Sequence, residues 1–310
     1  MMKMDIFDLK GIQPMLISEQ VEPYDDINSI FELKLDGCRC IAYCDGNSVD
    51  LRNKRNRKLL PQFPELEQIY RNCKSKCILD GELIVLIDGK PDFYQLQKRT
   101  LAINPFKIEL TSSRAPAAFV AYDILYADGK QVTELPLMER KIILAKTVKE
   151  STELSVSRYI EQQGKALFEL AKEQKLEGVV GKKKDSLYWF GKRTQEWKKV
   201  KWMKDDDFVC IGYIPKEQGM TSLVLAKYDE DKRLNIITHV TLGVSRSKMK
   251  QSGVKEGKCL LEHIPSDHKN TIWIEPMVCT IEYMPSVKEG YRQAVFKAFR
   301  EDKLPEECRL

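Results

Sequence analysis

A lysine with a carboxylate two residues to either side is the first feature here that could do chemistry. Lys34 stands in Phe31-Glu32-Leu33-Lys34-Leu35-Asp36-Gly37. On an extended strand alternate residues share a face, so Glu32, Lys34 and Asp36 are predicted to point the same way. An amine is a nucleophile only when neutral, and lysine changes its pKa readily when buried or set among other charges. Two carboxylates alone would hold the ammonium charged, so the local residues ask for a divalent metal as well as a lysine. Asp80-Gly81-Glu82 places Asp80 and Glu82 on one strand face. Glu177 precedes Gly178-Val179-Val180 and a basic cluster, and Trp197, Lys199 and Lys201 alternate in EWKKVK. Taken singly, each of these reads equally well as a solvated surface charge.

Other chemistries are excluded by what the sequence lacks. The three histidines, His239, His263 and His268, all fall in the last quarter and read as surface or packing residues, so a histidine base is not expected. No Gly-Lys pair precedes Ser or Thr, and neither HExxH nor GxSxG occurs. A P-loop NTPase, a zincin and an α/β-hydrolase are therefore not expected. Nine cysteines occur without one CxxC pair. They read as reduced thiols that pack as small hydrophobes rather than as a zinc framework.

The elements that must position these residues follow from pattern. Residues 31–52 alternate through short strands joined at Asp-Gly turns. Residues 61–72 begin with prolines and continue with helical spacing at Leu66, Ile69 and Tyr70. KCILDGELIVLIDGKPDF reads as a strand pair broken at two Asp-Gly steps, and AAFVAYDILYADG as an apolar strand closed by another. LPLMERKIILAKTVKE and GKALFELAKEQK read as helices, the second with Leu167, Leu170 and Ala171 on its packing face. Beyond residue 203 the chain becomes β-rich, as suits a small barrel. The fold class is thus α+β, with a mixed domain over 1–203 and an all-β domain over 204–310. The acidic run Asp205-Asp206-Asp207 is expected in the linker.

Composition fits a soluble protein of 310 residues with 43% hydrophobic and 31% charged residues. No apolar run reaches the length of a membrane helix. The opening MMKMDIFDLK lacks a signal-peptide core, so the cytoplasm is the expected location, and no membrane partner is expected. The net charge of +5 is concentrated. Residues 52–58 hold five basic residues, and 181–204 hold nine against two acidic ones, interleaved with Trp189, Phe190 and Trp197. Basic side chains neutralise phosphates and aromatic rings stack on bases, which points to a nucleic-acid partner over a merely solvated face.

Lys34-Leu35-Asp36-Gly37, Asp80-Gly81-Glu82, Tyr122-Asp123, Glu177-Gly178-Val179-Val180 and Lys199-Val200-Lys201, in this order, resemble the covalent nucleotidyltransferase superfamily. YRQAVFKAFREDK near the end and YWFGKRTQEWKKVK followed by DFVCIGY are similar to ATP-dependent DNA ligases, in particular minimal bacterial ones and the ligase module of end-joining enzymes. The resemblance spans residues 14 to 303. It implies a nucleotidyltransferase domain of ATP-grasp-like antiparallel sheets with helices, then an OB-fold. It implies that Lys34 attacks the α-phosphate of ATP, that AMP passes to the 5′-phosphate of a nick in double-stranded DNA, and that the 3′-hydroxyl displaces it.

The same resemblance assigns roles. Glu32 faces the adenine amino group, Tyr122 stacks on the base in a place where many relatives carry Phe, and Glu82 accepts from a ribose hydroxyl. Leu33 and Val179 line the nucleotide site. Arg39 and Arg193 lie near ribose or phosphate, and Lys199 and Lys201 contact the α-phosphate. Asp36 and Glu177 are the metal partners for Mg²⁺, with Mn²⁺ tolerated. Arg52 takes the nick 5′-phosphate, and Lys54, Arg55, Arg57, Lys182 and Lys183 meet DNA. Arg300, with Asp302 and Lys303, orients pyrophosphate as the second domain closes about the hinge near 203–207. A monomer working with a repair or end-joining partner is implied. Two alternatives stay open: an RNA ligase or guanylyltransferase, and an OB-fold nucleic-acid binder that has lost catalysis.

Overall fold

The structure is a computed structural model that describes residues 5–217, 220–245, 249, 252–285 and 291–310. The chain forms two compact units, Met1–Lys201 and Trp202–Leu310. The strands of the first unit are β1 (Leu16–Gln20), β2 (Asp26–Leu33), β3 (Cys38–Cys44), β4 (Val49–Asn53), β5 (Cys77–Ile87), β6 (Lys90–Pro91), β7 (Ala117–Ala127), β8 (Lys130–Gln131), β9 (Leu154–Val156), β10 (Tyr159–Gln162), β11 (Gly178–Lys183) and β12 (Arg193–Lys201). Its helices are α1 (Ile6–Leu9), α2 (Phe93–Thr100), α3 (Pro105–Arg114), α4 (Leu137–Thr147) and α5 (Gly164–Glu173).

Two sheets carry the first unit, one in the order β1-β12-β11-β2-β10 and one in the order β4-β3-β5-β7-β8, with β6 on β5 and β9 on β7. The β1–β12 and β7–β9 pairs are parallel. The two-residue period of a strand sorts β3 between two cores. Ile41 and Tyr43 face a cluster with Ile30 of β2 and Trp197 of β12, so this core joins the two sheets. Cys40, Ala42 and Cys44 face the opposite side, among Leu79, Phe119 and Leu144. Each fully buried Leu, Ile or Phe contributes roughly 1.5–3 kcal/mol, and that burial holds the sheets in register.

Three local expectations are corrected. Residues 60–72 form no helix but three 3₁₀ turns, Leu60–Gln62, Pro64–Leu66 and Ile69–Asn72. Pro61 and Pro64 donate no backbone hydrogen bond and break the ladder. Helix α5 buries Phe168 and Ala171 while Leu170 is exposed. Its first residue, Gly164, lies against the Tyr24 carbonyl and the Phe31 ring; that contact selects which stripe packs. The Asp80-Gly81 step breaks no strand, because β5 runs through it from Cys77 to Ile87; helices α2 and α3 fill a stretch that pattern left unassigned. Asp92 caps α2, accepting from the Gln95 amide at 2.9 Å.

The second unit consists of β13 (Lys204–Pro215), β14 (Thr221–Tyr228), β15 (Leu234–Val240), β16 (Ile272–Pro285) and β17 (Tyr291–Arg300). They form an antiparallel sheet in the order β15-β14-β13-β16-β17. A bridge from Leu242 to Val295 ties the chain after β15 to β17 and curls the sheet towards a barrel, the OB-type module. The acidic run is not a linker, because Asp205, Asp206 and Asp207 lie within β13. Strand neighbours hold two of the carboxylates. Asp206 accepts from Lys227 Nζ at 2.8 Å, and Asp207 accepts from Thr280 Oγ1 at 2.5 Å, Lys303 Nζ at 3.0 Å and Arg300 Nη1 at 3.1 Å. No described helix is long and apolar enough to cross a membrane.

Candidate active site

The strand carrying Glu32 ends at Leu33, and Lys34 begins the turn into β3. The shared face expected for Glu32, Lys34 and Asp36 is therefore not formed. Instead the Lys34 amide donates to the Gly178 carbonyl at 2.9 Å, which fixes the lysine beside the start of β11. Gly178 has φ of +139°, and a Cβ there would strike the Val200 carbonyl. Only glycine fits so close an approach. The arrangement brings Lys34 Nζ to 2.9 Å from Glu177 Oε2, while Lys201 Nζ lies 3.2 Å from Oε1 of the same carboxylate. One buried carboxylate thus bridges two lysines from β12 and the β2–β3 turn.

Lys199 enters from β12 beside them. Burial pushes its pKa down, and the nearby cations Lys201, Lys34 and Arg193 push it further. Arg193 itself donates to the Ile17 carbonyl at 2.7 Å. Glu82 comes from β5, where burial drives its pKa up to about 8; Lys34 and Arg39 oppose that rise, and Glu177 and Asp80 add to it. Asp80 is fully buried and holds Arg39, accepting from Nε at 3.0 Å and Nη2 at 2.5 Å. Tyr188 Oη donates to the same carboxylate at 2.7 Å. The Arg39 guanidinium lies 5.6 Å from the Tyr122 ring centre, so it flanks the expected base platform.

The surroundings of Glu32 are more highly charged than pattern suggested. Glu32 is buried and pairs with Lys141 and Lys182, the latter at 3.0 Å, and accepts from Ser157 Oγ at 2.8 Å. Burial raises its pKa, but the two ammonium groups outweigh burial and hold the carboxyl below its ordinary value. Lys182 Nζ also sits 4.5 Å from the centre of the Tyr122 ring and 4.2 Å from that of Trp197. Burial drives Lys182 down to about 8 against the pull of Glu32. The assignment of Lys182 to DNA is corrected: it is 2% exposed and is held between Glu32, Tyr122 and Trp197. Trp197 is likewise buried, edge-on to Tyr122, and is no surface platform for bases.

Below Tyr122, Asp123 and Arg140 form a fully buried pair with two 2.8 Å hydrogen bonds. Arg140 Nη1 also donates to the Leu135 and Ser186 carbonyls at 2.6 and 2.8 Å. Sequence reasoning missed Arg140, Lys141, Ser157 and Tyr188. The pair Arg140-Lys141 inside the otherwise apolar stripe of α4 was a readable signal, since both sit at buried positions between Leu137 and Leu144. Nothing local marks Ser157 or Tyr188.

The remaining expected residues lie outside this cluster. Val179 is buried, paired with Leu33 across β11 and β2. Arg52 is tied to Asp50 at 2.9 Å and to Asn56 at 2.8 Å. Lys54, Arg55 and Arg57 are exposed on the following turn, and Lys183 is exposed with Glu196 3.6 Å away. In the second unit Arg300 also grips Asp302, with Nε to Oδ1 at 3.0 Å. Asp36 lies in the turn after Lys34. Asp36 and Glu177 each offer hard carboxylate oxygens, the donor chemistry that a divalent ion such as Mg²⁺ takes.

A family model described as the ATP dependent DNA ligase domain matches residues 14–201. DNA ligase C1 of Mycolicibacterium smegmatis is 30% identical over 333 residues, covering 98% of this chain and 94% of that protein. The SPbeta prophage-derived DNA ligase-like protein LigB of Bacillus subtilis is 28% identical, covering 90% and 95%. Among solved structures, mycobacterial DNA ligase D complexed with ATP and MES superimposes with a TM-score of 0.57 at 25% identity, covering 96% of this chain and 98% of that one.

Proposed function

We propose, from the premise that this chain belongs to the ATP-dependent DNA ligase family, that Lys34 takes AMP from ATP and delivers it to the 5′-phosphate of a nick in duplex DNA. A DNA ligase of this family forms phosphodiester bonds at the expense of ATP. The observation that carries the detailed reading is the Lys34 amine held 2.9 Å from Glu177, with Lys201 on the same carboxylate and Lys199 close by.

In the first step a bond forms between Lys34 Nζ and the α-phosphorus, and the bond from that phosphorus to the β-phosphate oxygen breaks. Pyrophosphate leaves, and the amine loses a proton. Glu177 is within hydrogen-bond reach of that proton. Lys199 and Lys201 neutralise charge that builds on the phosphoryl oxygens, and the buried site strengthens their effect. In-line displacement at phosphorus needs positioning and charge more than a strong base, which fits a site without histidine. Mg²⁺, held by Asp36 and Glu177 with the phosphates, would add further charge neutralisation.

Glu32, with its lysine partners, faces the base, and Tyr122 supplies the ring on which adenine stacks. Glu82, whose carboxyl burial pushes up to about 8, can accept from a ribose hydroxyl and, when protonated, donate to it. Arg52 and the exposed Lys54, Arg55, Arg57 and Lys183 contact the DNA backbone without reading sequence. Arg300 and Lys303 are assigned to the pyrophosphate.

Intact-mass measurement tests the reading. Incubation with ATP and Mg²⁺ should add one AMP, and Lys34→Ala should abolish the adduct. An adduct that persists in Lys34→Ala would refute the nucleophile, and a GMP adduct from GTP would move the reading to capping chemistry.

A further inference from the structure

Away from the Lys34 pocket, three thiols converge. Cys44 ends β3, Cys77 begins β5, and the two are direct cross-strand partners. Cys73 follows the last 3₁₀ turn, four residues before Cys77, and its backbone bridges to Val148. The three Sγ atoms all lie within 4.8 Å of one another. Among the described residues no other set of three or more His, Cys, Asp or Glu side chains converges so closely. Cys44 and Cys77 are fully buried, while Cys73 is half-buried and opens the cluster to solvent. The absence of a CxxC pair concealed this set, because its spacing is Cys-x₃-Cys plus a cysteine brought in by sheet register.

We propose that Cys44, Cys73 and Cys77 form a binding site for a thiophilic d¹⁰ metal ion, Zn²⁺ or Cu⁺. Sulfur ligands about 2.3 Å from a shared zinc stand about 3.8 Å apart, so the observed spread needs only side-chain adjustment. Soft thiolates select Cu⁺ and Zn²⁺ and disfavour Mg²⁺. The site therefore does not compete with the ion that serves the ligase chemistry. Three sulfurs suit trigonal Cu⁺ directly; Zn²⁺ takes water in the fourth position, on the side that Cys73 leaves open. The bound ion clips the end of β3, the start of β5 and the 3₁₀ segment together at one end of these two inner strands of the larger sheet.

The test uses the full chain, reduced and stripped of metal under anaerobic conditions. One arm titrates Co²⁺ as a spectroscopic probe of the zinc site, and the other titrates Cu⁺ against a competing chelator. The expected result is one equivalent bound in at least one arm. For Co²⁺ it shows as a near-ultraviolet thiolate charge-transfer band that Zn²⁺ bleaches. Cys73→Ser should abolish the binding, and Cys259→Ser in the second unit should leave it unchanged. A rise in Tm on adding the ion should vanish in the same variant. Binding in the Cu⁺ arm alone supports the site and identifies copper. Absence of stoichiometric binding in both arms, or binding that Cys73→Ser leaves intact, overturns the proposal. If Cys73→Ser does not fold, the wild-type titration still decides, since a site of three thiolates must give the band or the copper complex.

Discussion

Replacing Arg140 with methionine isolates what holds the floor of the pocket. The guanidinium makes four hydrogen bonds, two to Asp123 and one each to the Leu135 and Ser186 carbonyls, and neither Arg140 nor Asp123 is exposed. Removing one partner of a buried pair leaves the other charge without compensation, at about 3–5 kcal/mol. A folding unit the size of residues 1–201 loses about 2–4 °C of Tm per kcal/mol. Arg140→Met should therefore lower the melting transition of the first unit by roughly 6–20 °C. Calorimetry of the full chain reads this, with the second unit's transition as an internal reference. Adding Asp123→Asn should recover part of the loss, because it removes the stranded charge. A drop of under about 3 °C for Arg140→Met, or a double variant less stable than the single one by the full cost of Asp123→Asn, would refute the reasoning.

Three further outcomes follow from the site. Glu82 titrates near 8 in the folded chain against 4.5 ordinarily. The folded state therefore binds the extra proton between those values, and wild type should lose stability relative to Glu82→Gln as pH rises from 5 to 8; Tm curves that run parallel would contradict this. Lys182→Met should slow self-adenylation at least about tenfold, the loss of a charge-assisted contact of roughly 1.5–3 kcal/mol, while leaving nicked-duplex affinity unchanged; weakened DNA binding with normal adenylation would return Lys182 to the DNA surface. Replacing Lys54, Arg55 and Arg57 with alanine should flatten the slope of log K against log salt by about 2–3, measured on nicked duplex at several salt concentrations; an unchanged slope would remove that turn from the DNA contact.

Sequence alone determined the chemical kind of this protein, because its motifs are short runs whose residue types and order survive without a structure. Lys34, Glu82, Glu177, Lys199 and Lys201 could be picked out as candidates through those ordered motifs and the family they resemble, since pattern alone left each readable as a surface charge. So could the change to an all-β second unit, because alternation is a local property. Only tertiary structure decided who pairs with whom. Glu32 looked like a neighbour of Lys34, yet its partners are Lys182, 150 residues away, and Lys141 of α4. Lys34 takes Glu177 instead. Period two says that a side chain faces one side of a strand, but not which strand or helix lies opposite; sheet order and the β2–β11 register supply that. The buried lysine and the three gathered cysteines were hidden for the same reason. A charge run reads as solvated, and isolated thiols read as packing, until long-range register moves one inside and sets the others side by side.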